Sequence, residues 1–403
     1  MSSYTYAKTM LKNAEERRRR LDLLNDRCEM RRDASRRESP LTQAQYEFLE
    51  SQLLKDLPEV KAFAAAFGIT QQNVTEYVRR HLELLPDVYT SLIQAHPAFS
   101  RDRDRTLNTL WDLWLPLATR LADRQKARSR PFVQGILGGQ GAGKTTLAIA
   151  LKILLARMGL SCIGISLDDL YKTHAEREEL QRQDPRLIWR GPPGTHDIDL
   201  GIQVLDRLRQ GLGQAQGAVP TTTPTPEDQQ PPIFIPRFDK SKYGGDGDRA
   251  EPEAITGADI ILFEGWFTGV QPVDPAIFAT APEPIITEAD RQFAISTNER
   301  LKAYLPLWQR LDSLMLLYPS DYRYSKLWRL QAEHETIAKG GDGMSDEDVE
   351  KFVEYFWRAL HPELFITPLM RSPDLCDLVV EINIEHQPER IYAPRDRRSR
   401  SNK

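Results

Sequence analysis

The run Gly138, Gly139, Gln140, Gly141, Ala142, Gly143, Lys144, Thr145, Thr146 fits the phosphate-cradling pattern G-x-x-x-x-G-K-[ST] at every fixed position, and no other stretch restricts the fold as tightly. Glycines let successive backbone N–H groups curl around phosphate oxygens. Lys144 then reaches the terminal phosphates of a nucleotide, and the Thr145 hydroxyl can ligate Mg²⁺. The flanks supply the context that the pattern needs. Phe132 to Leu137 reads as a buried strand, and Leu147, Leu151, Leu154 and Leu155 recur at helical spacing between Lys144 and Met158, so the glycines fall at a strand-to-helix turn. An ordinary glycine-rich loop would require neither flank. Residues 138–146 are the candidate nucleotide-binding residues, with Lys144 also a candidate for catalysis and Thr145 for the metal.

A chain of 403 residues, 40% hydrophobic, has room for one large α/β domain with a smaller appendage, or for two or three domains. The formal net charge is -4 with the signs interleaved, which favours neither a nucleic-acid partner nor a membrane surface. Cys28, Cys162 and Cys376 are far apart and form no C-x-x-C, which argues against a disulfide framework, a zinc site or a redox pair. The start of the chain carries no apolar h-region, acidic residues arrive at Glu15 and Glu16, and no run nears the roughly 18 apolar residues of a membrane span. The expectation is a cytoplasmic protein.

Ahead of the glycine-rich run the pattern is helical throughout. Ala7 to about Glu38 is a polyampholyte rich in arginine (Arg17 to Arg20, Arg31-Arg32, Arg36-Arg37) and is expected to be a solvated helix ended by Ser39-Pro40. Thr42–Leu57, Pro58–Phe67 and Thr70–Leu85 follow, the last closed by Pro86. Arg105 to Ala127 then aligns Leu107, Leu110, Trp111, Trp114 and Leu121 on one face. The two tryptophans could form a ligand platform, but aromatic residues at helical spacing are more often core. Residues 1–129 are thus expected to form a helical region without recognisable chemistry, and 130–393 an α/β domain.

Within that domain the strand ends carry the candidates, because ligands gather at the carboxyl ends of parallel strands. Ser161–Ser166 reads as a strand and runs into Asp168-Asp169, where Asp168 can accept the proton of an attacking hydroxyl; the competing reading is a helix cap, which Asp169 could serve. Trp189 to Asp197 concentrates Arg190, His196 and Asp197 on a Pro-Gly turn, a way to position a small anion, with Asp197 capping the next helix. Residues 211–232 read as a flexible excursion. Ile233 to Ser241 looks like an edge strand entering a Gly-Asp loop that lacks the calcium-loop register. Asp259 to Trp266 is a strand buried on both faces whose Glu264 stands at the Walker B position, a carboxylate suited to direct or water-bridged Mg²⁺. Beyond it come a helical pattern at Asn298–Arg310, a strand at Asp312–Leu317, a polar helix from Lys326 with Arg329, and a last strand at Leu378–Ile384. Arg323 and Arg329 are candidates for a lid over the phosphates, and 394–403 is a basic tail.

These motifs together resemble the D-glycerate 3-kinase family, related to uridine kinase, phosphoribulokinase and pantothenate kinase among the P-loop kinases. The resemblance rests on the glycine-rich run, Ser166–Tyr171, Arg190–Asp197, Pro236–Ser241, Gly247–Arg249, Phe263–Trp266 and Trp328–Gln331; it covers Phe132 to the last strand and leaves the helical third unaccounted for. It implies a P-loop NTPase kinase fold, a mostly parallel sheet with helices on both faces. It implies ATP and D-glycerate as substrates, Mg²⁺ as cofactor and 3-phosphoglycerate as product. Asp168 would be the general base, Glu264 would support Mg²⁺, and Arg329 lies inside the matching lid motif. Arg190, His196, Asp239, Lys240 and Arg249 would line the glycerate side, the cations facing its carboxylate. Leu170 departs from the family's usual Phe, and residues 211–232 are longer than the fold requires. Other acceptors within the class are a nucleoside, pantothenate or a sugar phosphate. A nucleotide switch or inert scaffold is the reading from another class, opposed by the lack of an Asn-Lys-x-Asp motif and by the presence together of Lys144, Thr145, Asp168 and Glu264.

Overall fold

A computed structural model describes residues 3–30, 41–210, 231–338, 340–341 and 343–394. Most of the 211–232 excursion, the arginines at 31–32 and 36–37, the break at Ser39-Pro40 and all but the first residue of the 394–403 tail lie outside the described residues.

The strands are β1 (Phe132–Gly138), β2 (Cys162–Ser166), β3 (Ile233–Asp239), β4 (Asp248–Ile255), β5 (Ile260–Gly265), β6 (Ser313–Pro319), β7 (Leu378–Ile382) and β8 (Pro388–Tyr392). Six of them form one sheet in the order β2-β5-β1-β6-β7-β8, parallel except for β8, while β3 and β4 pair as a separate antiparallel hairpin. Continuous apolar runs in β5 and β6 are explained by burial on both faces: Ile260, Leu262, Met315 and Leu317 enter one core cluster, and Ile261, Phe263, Leu314 and Leu316 the other. The register sets Glu264 across from both Ile136 and Ser166, so the carboxyl ends of β1, β2 and β5 finish on one line.

The helices are α1 (Ser3–Met30), α2 (Gln43–Leu53), α3 (Pro58–Phe67), α4 (Val74–Ala95), α5 (Ala98–Arg101), α6 (Arg103–Thr109), α7 (Leu115–Lys126), α8 (Lys144–Arg157), α9 (His174–Gln183), α10 (Ile198–Gln210), α11 (Glu288–Arg300), α12 (Leu305–Trp308), α13 (Tyr324–Ala338), α14 (Asp346–Ala359) and α15 (Pro362–Phe365). Leu147, Leu151, Leu154 and Leu155 of α8 share one core cluster with Leu107, Leu110, Trp111, Trp114 and Leu121 of the amino-terminal helices and with the sheet. The tryptophans are core, as their spacing predicts. On the opposite face α10, α11, α12 and α15 bury Leu205, Ala294, Trp308 and Phe365 against Val133, Ile261 and Phe263.

Four expectations are corrected. First, α1 is not a solvated helix: Leu23, Leu24 and Cys28 are buried, and Arg20 donates to Asn108 at 3.2 Å and to Asp112 at 2.8 Å. Second, Pro86 does not end its helix, because α4 continues to Ala95 and buries Val88, Tyr89 and Leu92 beyond it. The ring removes the hydrogen bond to the Leu82 carbonyl, and Arg27 Nε reaches that oxygen instead at 3.5 Å. Third, the helix expected at Asn298–Arg310 begins earlier, at Glu288, capped by Thr287 with Asp290, and gives way to a 3₁₀ turn at Leu301–Tyr304. Fourth, β7 stops at Ile382 and a further antiparallel strand, β8, forms the sheet edge. Only Ile391 of β8 is buried, so the strand has almost no apolar pattern to announce it.

Candidate active site

The glycine-rich loop joins β1 to α8 as its flanks require. Gly143 caps α8 in the left-handed region at φ 86°, and the Leu147 N–H is bonded to the Gly143 carbonyl at 2.9 Å. The earlier N–H groups of the helix, at Lys144, Thr145 and Thr146, have no intrahelical acceptor and are free for an anion. Gly141 takes φ 76°, and a Cβ there would stand 2.7 Å from Trp328 Cβ, so the loop apex leans directly on α13. Lys144 Nζ donates to the carbonyls of Gly138 at 2.8 Å and Gly139 at 3.0 Å.

Around that ammonium the structure gathers the strand-end acids. Ser166 and Asp169 form a capping box at the 3₁₀ turn Leu167–Leu170, so the capping role belongs to Asp169, and Asp168 is left facing the loop. Asp168 Oδ2 accepts from Lys240 Nζ at 2.6 Å and Oδ1 from the Tyr171 hydroxyl at 3.0 Å. Burial pushes this carboxyl up, but Lys240 and Tyr171 outweigh it and hold the pKa below the ordinary value. Glu264 is raised, chiefly by burial and further by the Asp168 charge, against the pull of Lys144. Lys144 itself is lowered by burial, opposed by Glu264 and Asp168. A cation beside Glu264 would favour its ionised form. Among the described residues no group of three or more His, Cys, Asp and Glu is gathered as a cage. Thr145 and Glu264 instead offer a small set of hard oxygen donors, which suits an ion that keeps water and phosphate ligands.

The Arg190–Asp197 turn closes the other side. His196 is buried, stacks on Tyr171 at 4.6 Å and forms a bridge with it. Tyr304 links the turn to the helical layer: its hydroxyl accepts from the Gly194 N–H at 2.9 Å and lies 2.7 Å from His196 Nδ1. That network assigns the Tyr304 proton to Nδ1 and the imidazole proton to Nε2, which has no partner among the described residues. Burial drives the His196 pKa down to about 3, so the ring is uncharged at neutral pH. It is a hydrogen-bond donor rather than one of the cations expected opposite a carboxylate.

The remaining candidates are spread around this centre. Arg249 bonds Asp197 Oδ2 at 2.6 Å and the Tyr171 carbonyl at 3.3 Å, and Asp197 accepts from the Leu200 N–H at 3.0 Å, capping α10 as expected. Arg190 donates to the carbonyls of Gly245 at 2.6 Å and Asp246 at 3.0 Å, with its guanidinium 5.9 Å from the Tyr171 ring. Asp239 accepts from the backbone and hydroxyl of Ser241 at 2.9 and 2.6 Å, shaping the turn that presents Lys240. Arg329 pairs with Glu333 and stacks over Phe352 at 5.1 Å, and Arg323 is held by Asp321. Trp328, its neighbour in α13, is the residue that touches the phosphate loop. Trp328 and Tyr171 lie inside motifs visible in the sequence, whereas Tyr304 had no signal, since its partner His196 is 108 residues away.

No protein-family model matches the chain. It is 36% identical over 247 residues to the uncharacterized kinase mug58 of Schizosaccharomyces pombe, covering 59% of this chain and 82% of that one. It is 32% identical over 274 residues to the chloroplastic D-glycerate 3-kinase of Arabidopsis thaliana, covering 64% of this chain and 54% of the plant protein's length. The D-glycerate 3-kinase of Cryptococcus neoformans var. grubii superposes with a TM-score of 0.58 at 29% identity, over 68% of this chain and 96% of that structure. The chain belongs to the D-glycerate 3-kinase family of P-loop kinases. Its fold is that of a P-loop kinase, and its kinase relatives imply use of ATP. No described helix is long and apolar enough to cross a membrane.

Proposed function

We propose that this kinase transfers the γ-phosphoryl group of ATP to a hydroxyl of D-glycerate, giving 3-phosphoglycerate and ADP. The observation that carries the reading is the convergence of Lys144, Asp168, Lys240 and Glu264 at the carboxyl ends of β1, β2 and β5, beside the turn that carries His196. The relatives named for glycerate supply the acceptor.

Phosphoryl transfer asks a protein mainly for position and charge. The acceptor hydroxyl loses its proton to Asp168, its oxygen bonds to the γ-phosphorus, and the bond to the bridging oxygen of ADP breaks. Lys144 and the N–H groups of residues 143–146 stabilise charge on the transferring group. Thr145 and Glu264 would hold Mg²⁺, which when bound neutralises phosphate charge. Lys240 keeps Asp168 ionised until the substrate arrives, and the His196 Nε2 proton is available to an acceptor oxygen. Arg190 and Arg249 fix the 243–249 turn and present their remaining N–H groups to the glycerate carboxylate. A lid role for Arg329 requires α13 to release it from Glu333.

ADP release measured with D-glycerate, a nucleoside, pantothenate and a sugar phosphate, followed by chemical identification of the product, tests the reading. The highest kcat/KM is expected with D-glycerate. A higher value for another acceptor displaces the substrate while leaving the phosphotransfer centre in place.

A further inference from the structure

The loop that links β3 to β4 carries a tyrosine in a conformation that its residue type does not favour. Tyr243 takes the left-handed region at φ 51° and is 60% exposed. A non-glycine residue persists there only when its surroundings fix it. What fixes it is α9. The Tyr243 ring lies flat on His174, with centroids 4.1 Å apart and an interplanar angle of 7°. His174 is the first residue of that helix, which the Thr173–Glu176 capping box starts, and its ring stands between Glu178 at 3.8 Å and Asp246 at 3.7 Å. Two hydrogen bonds moor the same loop on the same helix: the His174 N–H donates to Asp248 Oδ1 at 3.0 Å, and Arg177 donates to the Asp246 carbonyl at 2.7 Å.

Lys240 stands at the near end of this loop. Its side chain is 60% exposed, yet its ammonium lies 2.6 Å from Asp168 Oδ2. An exposed lysine gives up rotamer freedom to make such a pair, and the gain is small unless the backbone beneath it is already placed. The loop is closed on itself by Lys242, whose Nζ donates to the Arg249 carbonyl at 2.7 Å and whose own carbonyl accepts from the Gly247 N–H at 2.8 Å. Residues 242–249 therefore hold one shape, and where Tyr243 sits sets the stretch that leads back to Lys240.

We propose that the stack of Tyr243 on His174 is a clasp that positions Lys240, and through it the base Asp168, for phosphoryl transfer. The inference rests on the reading of Asp168 as the general base. Tyr243 and His174 are positioning residues, acting through the loop and its lysine. Lys240 and Tyr171 bond to Asp168, and His196, Asp169, Lys144 and Glu264 are its other ionisable neighbours. Of these only Lys240 belongs to the loop, so opening the clasp reaches the base through one partner.

Turnover of the full-length protein from pH 5 to 9 tests the proposal. Weakening the lysine contact raises the pKa of Asp168, so Tyr243→Ala and His174→Ala are each expected to move the acidic limb of kcat/KM to higher pH by about half a unit, the size of an ion pair with one exposed partner. ADP affinity in a calorimetric titration should be unchanged. Tyr243→Phe, which keeps the ring, is expected to keep the wild-type profile. In a Lys240→Ala background Tyr243→Ala should add no further movement, because both act through the same partner. A limb that stays in place in both alanine variants, even with turnover lowered at every pH, overturns the proposal, as does a second movement in the Lys240→Ala background. A Lys240→Ala protein whose limb is itself unmoved would overturn the pairing of Lys240 with the base as well, and is distinguishable on that account.

Discussion

Asp168 is pulled in opposite directions by its surroundings: burial favours the protonated acid, while Lys240 at 2.6 Å and the Tyr171 hydroxyl favour the carboxylate and prevail. Lys240→Ala removes the larger of the two favourable partners, so the Asp168 pKa should rise. The acidic limb of the kcat/KM profile is then expected to move to higher pH, measurable by turnover from pH 5 to 9. Asp168→Asn should lower kcat by roughly 10²–10⁴-fold, the usual worth of general-base catalysis, with ADP affinity unchanged in a direct titration. Full turnover in that variant would remove the base role. The residue types at this centre were legible because each stands at a strand end. The Lys240 pairing was not, since Lys240 lies 72 residues from Asp168 on a separate hairpin.

Among the elements, the turn 190–197 depends on a contact from outside itself. Tyr304, at the end of a 3₁₀ turn, ties the Gly194 N–H and the His196 ring to the helical layer. Tyr304→Phe deletes both bonds and leaves the half-buried Gly194 N–H without its partner, a cost of about 1 kcal/mol that urea denaturation should register. Its kinetic signature is expected to be a higher KM for the acceptor with the KM for ATP unchanged, because the turn borders Asp168 and not the phosphate loop. Helix starts were largely legible from capping residues such as Asp197, whose side chain accepts from the Leu200 N–H. Helix ends were less so. Pro86 reads as a stop in isolation, but the apolar stripe through Leu85, Val88 and Leu92 offers more burial than one backbone hydrogen bond is worth.

At the scale of the whole molecule, the amino-terminal helices and the sheet share one core, since Leu107, Leu110 and Trp114 sit in the cluster that buries Leu151, Leu154 and Leu155. A chain begun at Arg130 would expose that face, and is expected to lose near-ultraviolet dichroism and bind a hydrophobic dye while the full chain does neither. Acid should act on both halves. His81 and His196 are each driven down to about 3 by burial, so the folded state holds them neutral while the unfolded chain protonates them near pH 6.5. Their contribution to stability is complete above about pH 6.5 and is lost progressively as the pH falls toward the folded values. A fall in melting temperature from pH 7 to 4 is expected, with His81→Phe flattening the slope by the proton it no longer takes up.

The sequence by itself determined the phosphate loop, the strand-to-helix turn that carries it, the buried parallel strands and the acids at their ends, because each is written in consecutive residues with a local period or a local motif. Only the tertiary structure decided which distant groups meet: Lys240 with Asp168, Tyr304 with His196, Trp328 with Gly141, and the amino-terminal helices with the edge of the loop. Those meetings follow from sheet order and from the packing of separate helices over one core, and neither leaves a spacing that can be read along the chain.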